Sequence, residues 1–185
     1  RSGGAYCLRI RNTGDGMVYC ILKSRSLNSK YIVVDRESRA ALHLWIAMTR
    51  TQGSIREHLQ RQVETHGLTL TEFGVLEALL HKGPLTHGEI GDRVLLASSS
   101  MTYVIDKLED RGLLRRRQSE EDRRVKLAEL TPEGETKIEA AFSEHAALLG
   151  DLMDTLSLEE KREAASVLRR VERCATEHDA SSSTD

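Results

Sequence analysis

The amino-acid sequence predicts a mainly α protein with one small β-hairpin. Two prolines and 4 % aromatic residues among 185 favour helices over strands. The stretch from Leu68 to Gly134 carries three helical patterns followed by two short strand-like runs. The length suits one domain, and 39 % hydrophobic residues are enough for a core.

The first two helical patterns of this stretch each open with a capping box, Ser/Thr-x-x-Glu, in which both side chains satisfy free backbone N–H groups. The box at Thr69–Glu72 predicts a helix from about Thr71, which Gly83-Pro84 ends. The box at Thr86–Glu89 predicts a short helix that buries Ile90 and Val94.

The third pattern predicts a helix with two unlike faces. Its apolar stripe consists of Met101, Val104, Ile105 and Leu108, and Gly112 ends it. The opposite face offers short hydroxylated side chains and a cation, namely Ser98, Ser99, Ser100, Thr102, Tyr103 and Lys107. Serines also gather at helix starts simply because they cap well. Three serines followed by Thr-Tyr favour contact with the major groove of DNA.

The predicted hairpin is basic. Its strands are Leu113–Arg117 and Val125–Leu130, joined by the loop Gln118–Arg124. From Arg111 to Lys126 there are seven basic and three acidic residues, a net charge of +4, whereas residues 37–185 carry 20 basic and 27 acidic residues, net −7. A charged run is usually a solvated face, but this concentration of cations favours contact with phosphate.

These elements, in this order, resemble the MarR family of winged helix-turn-helix regulators. The resemblance rests on Gly-Leu-Leu-Arg-Arg at 112–116, Asp-Arg-Arg at 122–124 and Leu-Thr-Pro-Glu-Gly at 130–134, and it spans roughly Glu37 to Arg173. It implies a winged helix-turn-helix at 68–130, flanked by long dimerisation helices at 37–66 and 132–177.

The resemblance also implies roles for the wing. In the family, the arginine two residues after the aspartate enters the minor groove, which here is Arg124; Asp122 would orient its guanidinium, and Arg123 would meet phosphate. The predicted DNA-binding set is Ser98, Ser99, Ser100, Thr102, Tyr103, Lys107, Arg116, Asp122, Arg123 and Arg124.

The predicted flanking helices have more apolar surface than the winged unit can cover, which favours a homodimer. Two recognition helices related by a two-fold axis would lie about 34 to 36 Å apart, one turn of double-stranded DNA, and would require a palindromic site. The protein-interaction alternative, a winged helix that binds a protein without DNA, stays open. A salt-insensitive protein complex would favour that alternative.

By resemblance, a small-molecule inducer would bind in the crevice between the first long helix, the helix of Phe73 and the helix after the wing. The candidates are His43, Trp45, Met48, Thr49, His66 and Phe73. Trp45, Met48 and Phe73 are more typical of core packing than of ligand contact, and His43 and His66 of surface or helix-end positions. The local sequence most resembles the branch of the family that responds to phenolic and quinone-like compounds, which predicts a repressor released by such a compound.

Residues 1–36 differ from the rest of the chain, with seven basic and two acidic residues and no sustained periodicity. Tyr19–Leu22 and Tyr31–Val34 could form short strands, but the sequence shows no partner for them. The arginines could form a DNA-binding arm; we instead expect a disordered or non-native extension, with the natural start at Met17 or near Val34. At the other end, we expect residues 178–185 to be a disordered tail.

The sequence lacks the motifs that would indicate other classes of function. The sequence contains no nucleophile elbow, phosphate loop, dinucleotide fingerprint or His-Glu-x2-His, so we expect no enzyme and no cofactor. Cys174-x3-His178 offers two ligands, too few for a zinc site, and we expect no metal. No apolar run approaches the roughly 20 residues of a membrane span.

The three cysteines, Cys7, Cys20 and Cys174, are scattered and form no disulfide framework. They fit a bacterial or archaeal cytoplasmic protein associated with the nucleoid. Peroxide-sensing members of the family use a cysteine near the start of the first long helix. Residues 36–173 contain none, which disfavours that mechanism.

Overall fold

The computed structural model describes residues 7–13, 16–22, 31–32, 35–94, 101–120 and 122–182, with side chains from 35 to 177 within those ranges. The chain divides into two units, residues 1–54 and residues 55–185. None of the helices among the described residues is both long enough and apolar enough to cross a membrane.

The first unit contains an antiparallel sheet of three strands, β1 (Cys7–Thr13), β2 (Gly16–Leu22) and β3 (Tyr31–Ile32), in the order β1-β2-β3. These residues form strands where one expectation was a disordered extension; the other expectation, a non-native extension, stays a prediction. The sequence indicated part of β2 and all of β3 but no partner for either. The structure pairs Tyr19 with Ile10 on one side and with Ile32 on the other.

Helix α1 (Arg36–Thr65) contributes to both units and matches the predicted first long helix. It begins one residue before the predicted start at 37, because the carboxylate of Asp35 accepts hydrogen bonds from the N–H groups of Glu37 and Ser38, both at 2.9 Å. The helix continues through Gly53.

In the second unit, α2 (Leu70–Lys82) and α3 (His87–Arg93) both begin at complete capping boxes, as predicted. Gly83 ends α2 with φ of 75°, a conformation that glycine adopts without strain, and its N–H bonds back to Leu79 O. Helix α4 (Met101–Asp110) follows, and Gly112 ends it with φ of 69°. Residues 95–100 lie outside the described part.

The wing strands are β5 (Leu114–Gln118) and β6 (Lys126–Leu130), paired antiparallel with Leu114 opposite Leu130. Both agree with the prediction within one residue at each end. A third strand, β4 (Leu85–Thr86), pairs with β6 on its other edge, giving the order β4-β6-β5. The sequence did not indicate β4, because two residues are too few to show an alternating pattern.

Helix α5 (Pro132–Leu152) begins at the predicted residue 132, with Thr131 as its N-cap and a proline in its first turn. Helix α6 (Leu158–Ser182) begins at a further capping box, Ser157–Glu160, where Glu160 accepts from Ser157 N at 2.8 Å. It extends to Ser182, so the predicted tail is helical over 178–182. No proline or glycine in that stretch breaks the helix.

One hydrophobic core lies under the helix-turn-helix and the wing. Its fully buried side chains include Val63 of α1, Leu76 of α2, Ile105 of α4 and Ile138 of α5. The core therefore joins the end of α1, the three helices of the helix-turn-helix, the wing and the start of α5 into one unit.

Candidate nucleic-acid interface

Helix α4 has the two unlike faces that its sequence predicts. Val104, Ile105 and Leu108 are buried, whereas Thr102 and Tyr103 face solvent, with Tyr103 65 % exposed. A tyrosine so exposed contributes little to the core of the single chain and is available for contact. Ser98, Ser99 and Ser100 lie outside the described residues, so their predicted role stays a prediction.

Lys107, predicted to face the groove, instead pairs with a buried carboxylate. Its Nζ lies 2.8 Å from Oε1 of Glu72, a side chain only 3 % exposed, and Nη1 of Arg111 lies 3.3 Å from the same oxygen. The cation of Lys107 is thus committed within the fold, and we withdraw it from the predicted DNA contacts.

The carboxylate of Glu72 stays ionised despite its burial. Burial alone would raise the pKa of Glu72, but hydrogen bonds from Lys107 and the Thr69 N–H, with the charges of Lys107 and Arg111, lower it below its ordinary value. The site is therefore an ion cluster between α2 and α4.

Arg116 on β5 is likewise committed. Its guanidinium forms ion pairs with Asp106 and Glu109, both on α4. The hydrogen bond to Asp106 is the main cause that raises the pKa of Arg116, and burial opposes it. Arg116 joins the wing to the recognition helix, and we withdraw it too from the predicted DNA contacts.

Two further arginines of the basic segment share one partner. Arg115 and Arg117 both reach Glu129 on the neighbouring strand, at 2.7 Å each. Four of the seven cations, at 111, 115, 116 and 117, are therefore paired with carboxylates outside the segment, at 72, 106, 109 and 129. The net charge of +4 overstated the positive charge that DNA would meet.

The remaining cations, Arg123, Arg124 and Lys126, are exposed at the wing tip. Among the described residues, none of the three forms an ion pair. Asp122 binds the backbone of Arg124, whose N–H donates to Oδ1 at 2.9 Å, and not its guanidinium as the resemblance implied. Asp122 shapes the turn and leaves the arginine side chain available.

A cleft of about 590 Å³ connects the wing to the start of α3. It is lined by Thr86, His87, Gly88, Arg116, Arg124, Val125 and Lys126. Nε of Arg116 donates to Nε2 of His87 at 3.4 Å, which leaves Nδ1–H of His87 as the donor of the ring. Neither His87 nor Lys126 was among the predicted contacts; the capping box at Thr86 was the available signal for His87.

The predicted ligand residues are divided between the two units, and their shared role stays a prediction. Phe73 is a core residue, 3 % exposed, whose ring stacks on His145 with centroids 4.5 Å apart. Gln62 of α1 holds this pair in place, since its Oε1 lies 3.2 Å from Nδ1 of His145 and its Nε2 donates to Ala141 O at 3.1 Å. Neither Gln62 nor His145 was among the residues predicted to line the ligand pocket.

His66 lies at the surface, with Nε2 2.8 Å from Oε2 of Glu144, and lines an open groove of about 480 Å³ beside the start of α5. The other four candidates, His43, Trp45, Met48 and Thr49, belong to the first unit. Trp45 is 64 % exposed, and its carbonyl accepts from Oγ1 of Thr49 at 2.9 Å. Within the part that the structure describes, no group of three or more metal-binding side chains occurs.

Three helices, a three-stranded wing and exposed arginines at its tip define a winged helix-turn-helix module. The family model described as MarR family matches residues 68–126. The chain is also 44 % identical to the HTH-type transcriptional regulator MhqR of Bacillus subtilis over 131 residues, 71 % of this chain and 90 % of that protein. The chain belongs to the MarR family of transcriptional regulators, which are not enzymes.

Two further relatives extend the comparison. The HTH-type transcriptional repressor MdtR of Bacillus subtilis is 30 % identical over 65 % of this chain and 78 % of its own length. The structure of BpsR from Bordetella bronchiseptica, whose DNA binding is regulated by 6-hydroxynicotinic acid, superposes with a TM-score of 0.62 at 22 % identity, covering 70 % of this chain and 98 % of BpsR. The latter likeness is one of fold.

Proposed function

We propose that the chain is a homodimeric repressor that binds a palindromic operator and is released by a small phenolic or quinone-like molecule. The observation that supports DNA contact most directly is the pairing of the basic segment. Four of its cations are neutralised within the fold, and the three that form no ion pair with any described residue, Arg123, Arg124 and Lys126, are exposed together at the wing. Cations kept unpaired and exposed beside a recognition helix are suited to phosphate and minor-groove contact.

The proposed DNA contacts follow from this division between paired and exposed cations. Thr102 and Tyr103, together with Ser98, Ser99 and Ser100, would meet the major groove. Arg124 would enter the minor groove. Arg123, Lys126 and His87 would bind phosphates along the cleft between the wing and α3.

The proposed homodimer is supported by exposed apolar side chains on α6. Val167, Leu168 and Val171 are 40 to 43 % exposed and recur at one- and three-residue steps on one helical face. Among the described residues, none of α6 belongs to the buried core. In the other unit, Leu42, Leu44 and Trp45 are also exposed on α1. A second copy of the chain is the simplest cover for such faces.

Repression and release are supported by the relatives. MdtR is named a repressor, and the DNA binding of BpsR responds to a hydroxylated aromatic acid. For this chain we propose the packed junction of α1, α2 and α5, at Gln62, Phe73 and His145, as the place where an aromatic inducer would act.

The DNA proposal is tested by selecting bound duplexes from a random pool and measuring the affinity of the selected sequence against salt. We expect a palindrome with half-sites about one turn apart and a steep fall in affinity with salt. Failure to enrich any duplex, together with salt-insensitive capture of a protein, would favour the protein-interaction alternative.

The inducer proposal is tested separately, by adding catechol, hydroquinone or benzoquinone to the complex with the selected duplex. We expect at least one of these compounds to release the duplex at a concentration where phenylalanine, the aromatic control, does not. If the duplex stays bound to the same extent with each of these compounds as with phenylalanine, the proposed class of inducer is contradicted, whereas the DNA-binding proposal is unaffected.

A further inference from the structure

We propose that Glu72 is a positioning residue for DNA recognition. Its buried carboxylate fixes the recognition helix α4 on α2 through Lys107 and Arg111, and thereby sets the preference of the protein for its operator over other DNA. This inference rests on the proposed DNA-binding function.

Both oxygens of Glu72 are in use. Oε2 accepts from Thr69 N at 2.8 Å and so caps α2. Oε1 lies 2.8 Å from Lys107 Nζ and 3.3 Å from Arg111 Nη1, at the end of α4. One carboxylate therefore fixes the start of α2 and the end of α4, with the residue only 2 % exposed.

A further hydrogen bond extends the cluster to α1. Nη2 of Arg111 donates to the carbonyl of Gly67 at 2.9 Å, in the turn between α1 and α2. This turn is tightly built, since Gly67 has φ of 65° and its N–H bonds to Glu64 O at 2.8 Å. A displacement of the end of α1 would therefore be transmitted to α4 through Arg111.

The chemistry of the cluster favours a role in geometry over one in stability alone. Burying a carboxylate is costly, and apolar residues of similar volume often stabilise a fold as well or better. Apolar packing, however, tolerates sliding, whereas here Oε1 of Glu72 must stay beside two cations while Oε2 stays hydrogen-bonded to Thr69 N, and the two requirements together hold one arrangement. The cluster also keeps the Lys107 ammonium on the protein, which limits sequence-independent attraction to phosphate.

The test compares wild type, E72Q, K107M and the double variant for binding to the selected duplex and to a scrambled duplex of the same length, each across a salt series. The matched control is E160Q. Glu160 completes the same kind of capping box on α6, and its hydrogen bonds all run to Ser157. Thermal unfolding of each variant establishes that it is folded.

We expect E72Q and K107M each to lower the ratio of specific to scrambled affinity by about tenfold, with no further loss in the double variant, because the two side chains act as one unit. E160Q should retain the wild-type ratio. The salt slope of K107M should equal that of wild type, since Lys107 does not touch phosphate.

Three results would overturn the inference while leaving DNA binding established. They are an unchanged ratio in K107M, additive losses in the double variant, and a salt slope in K107M that is shallower by about one phosphate contact. If E72Q does not fold, K107M decides alone, because its side chain is 45 % exposed and its replacement leaves the capping box intact. Failure of wild type to bind any duplex would overturn the proposed function and this inference together.

Discussion

At Gly134, the backbone of α5 lies close to the backbone of Leu113, the residue before β5. A Cβ built at this position would lie 1.8 Å from the carbonyl oxygen of Leu113. The approach is held by Thr131, whose N–H donates to Leu113 O at 3.2 Å and whose hydroxyl donates to Gly112 O at 2.6 Å. The glycine of the Leu-Thr-x-x-Gly motif is therefore required by backbone packing.

Gly134→Ala should destabilise the protein by about 1 to 3 kcal/mol or more, because the methyl group meets backbone that cannot rotate away. The measurement is the urea midpoint. Gly150→Ala is the matched control on the same helix: its Cβ has open space, and a helical glycine replaced by alanine should stabilise by about 0.5 to 1 kcal/mol. Equal effects of the two substitutions would contradict this explanation.

Arg124 carries the wing contact in the proposed function. Arg124→Ala should weaken operator binding by about 1 to 3 kcal/mol and lower the salt slope by about one contact. Arg162→Ala removes the same charge from an exposed position on α6 and should leave both unchanged. The measurement is the dissociation constant across a salt series, and an unaltered constant in Arg124→Ala would remove the wing from the interface.

The charged residues show which parts of the DNA-binding site the sequence alone can predict. The types and spacing of Arg123 and Arg124 were enough to propose a basic wing tip. The pairing of Lys107 with Glu72, and of Arg116 with Asp106, depends on contacts between elements that the linear sequence does not specify. For the same reason, the sequence could not distinguish cations that face DNA from cations that hold the fold together.

At the level of elements, α1, α2 and α5 meet around His145. Burial lowers the pKa of His145, and the charge of Glu77 only partly opposes this. The folded chain thus keeps His145 neutral to a lower pH than the unfolded chain, where the ordinary value is 6.5. The unfolded state therefore takes up the proton first as the solution is acidified.

The stability of this junction should consequently fall as the pH drops below about 6.5, and the fall should end once the pH is below the folded-state pKa. His145→Asn should reduce this pH dependence, measured as the change in urea midpoint between pH 7.5 and 5.5. His58→Asn, at an exposed position on α1, should retain it. The same dependence in all three proteins would show that His145 is not responsible.

The helices were predictable because each carries its own boundary signals. Thr69–Glu72 and Thr86–Glu89 begin α2 and α3, and Gly83 ends α2, by hydrogen bonds between neighbouring residues. The strand β4 was not predictable, since it has only two residues and pairs with β6, which is distant in the sequence. The strand β1 was not predicted either, although its partner β2 follows it directly in the sequence. Local hydrogen bonding is readable in a sequence, and pairing across the chain is much less so.

For the whole molecule, the apolar face of α6 and the exposed arginines of the wing lead to the same proposal. The apolar face of α6 favours packing against a second subunit, and the wing and α4 favour binding to a DNA duplex. A two-fold axis would join the two requirements, because it repeats α4 at a fixed distance along the DNA. Binding would then depend on the spacing of two half-sites as well as on their sequence.

The most direct test is therefore the affinity of the protein for duplexes in which the two halves of the selected palindrome are moved apart by half a helical turn, about 5 base pairs. We predict a loss of affinity of about 100-fold or more, to the level of sequence-independent binding, with partial recovery when the insertion reaches a full turn. Affinity that is the same at every spacing, with one chain bound per duplex, would contradict the dimeric regulator proposed for this sequence.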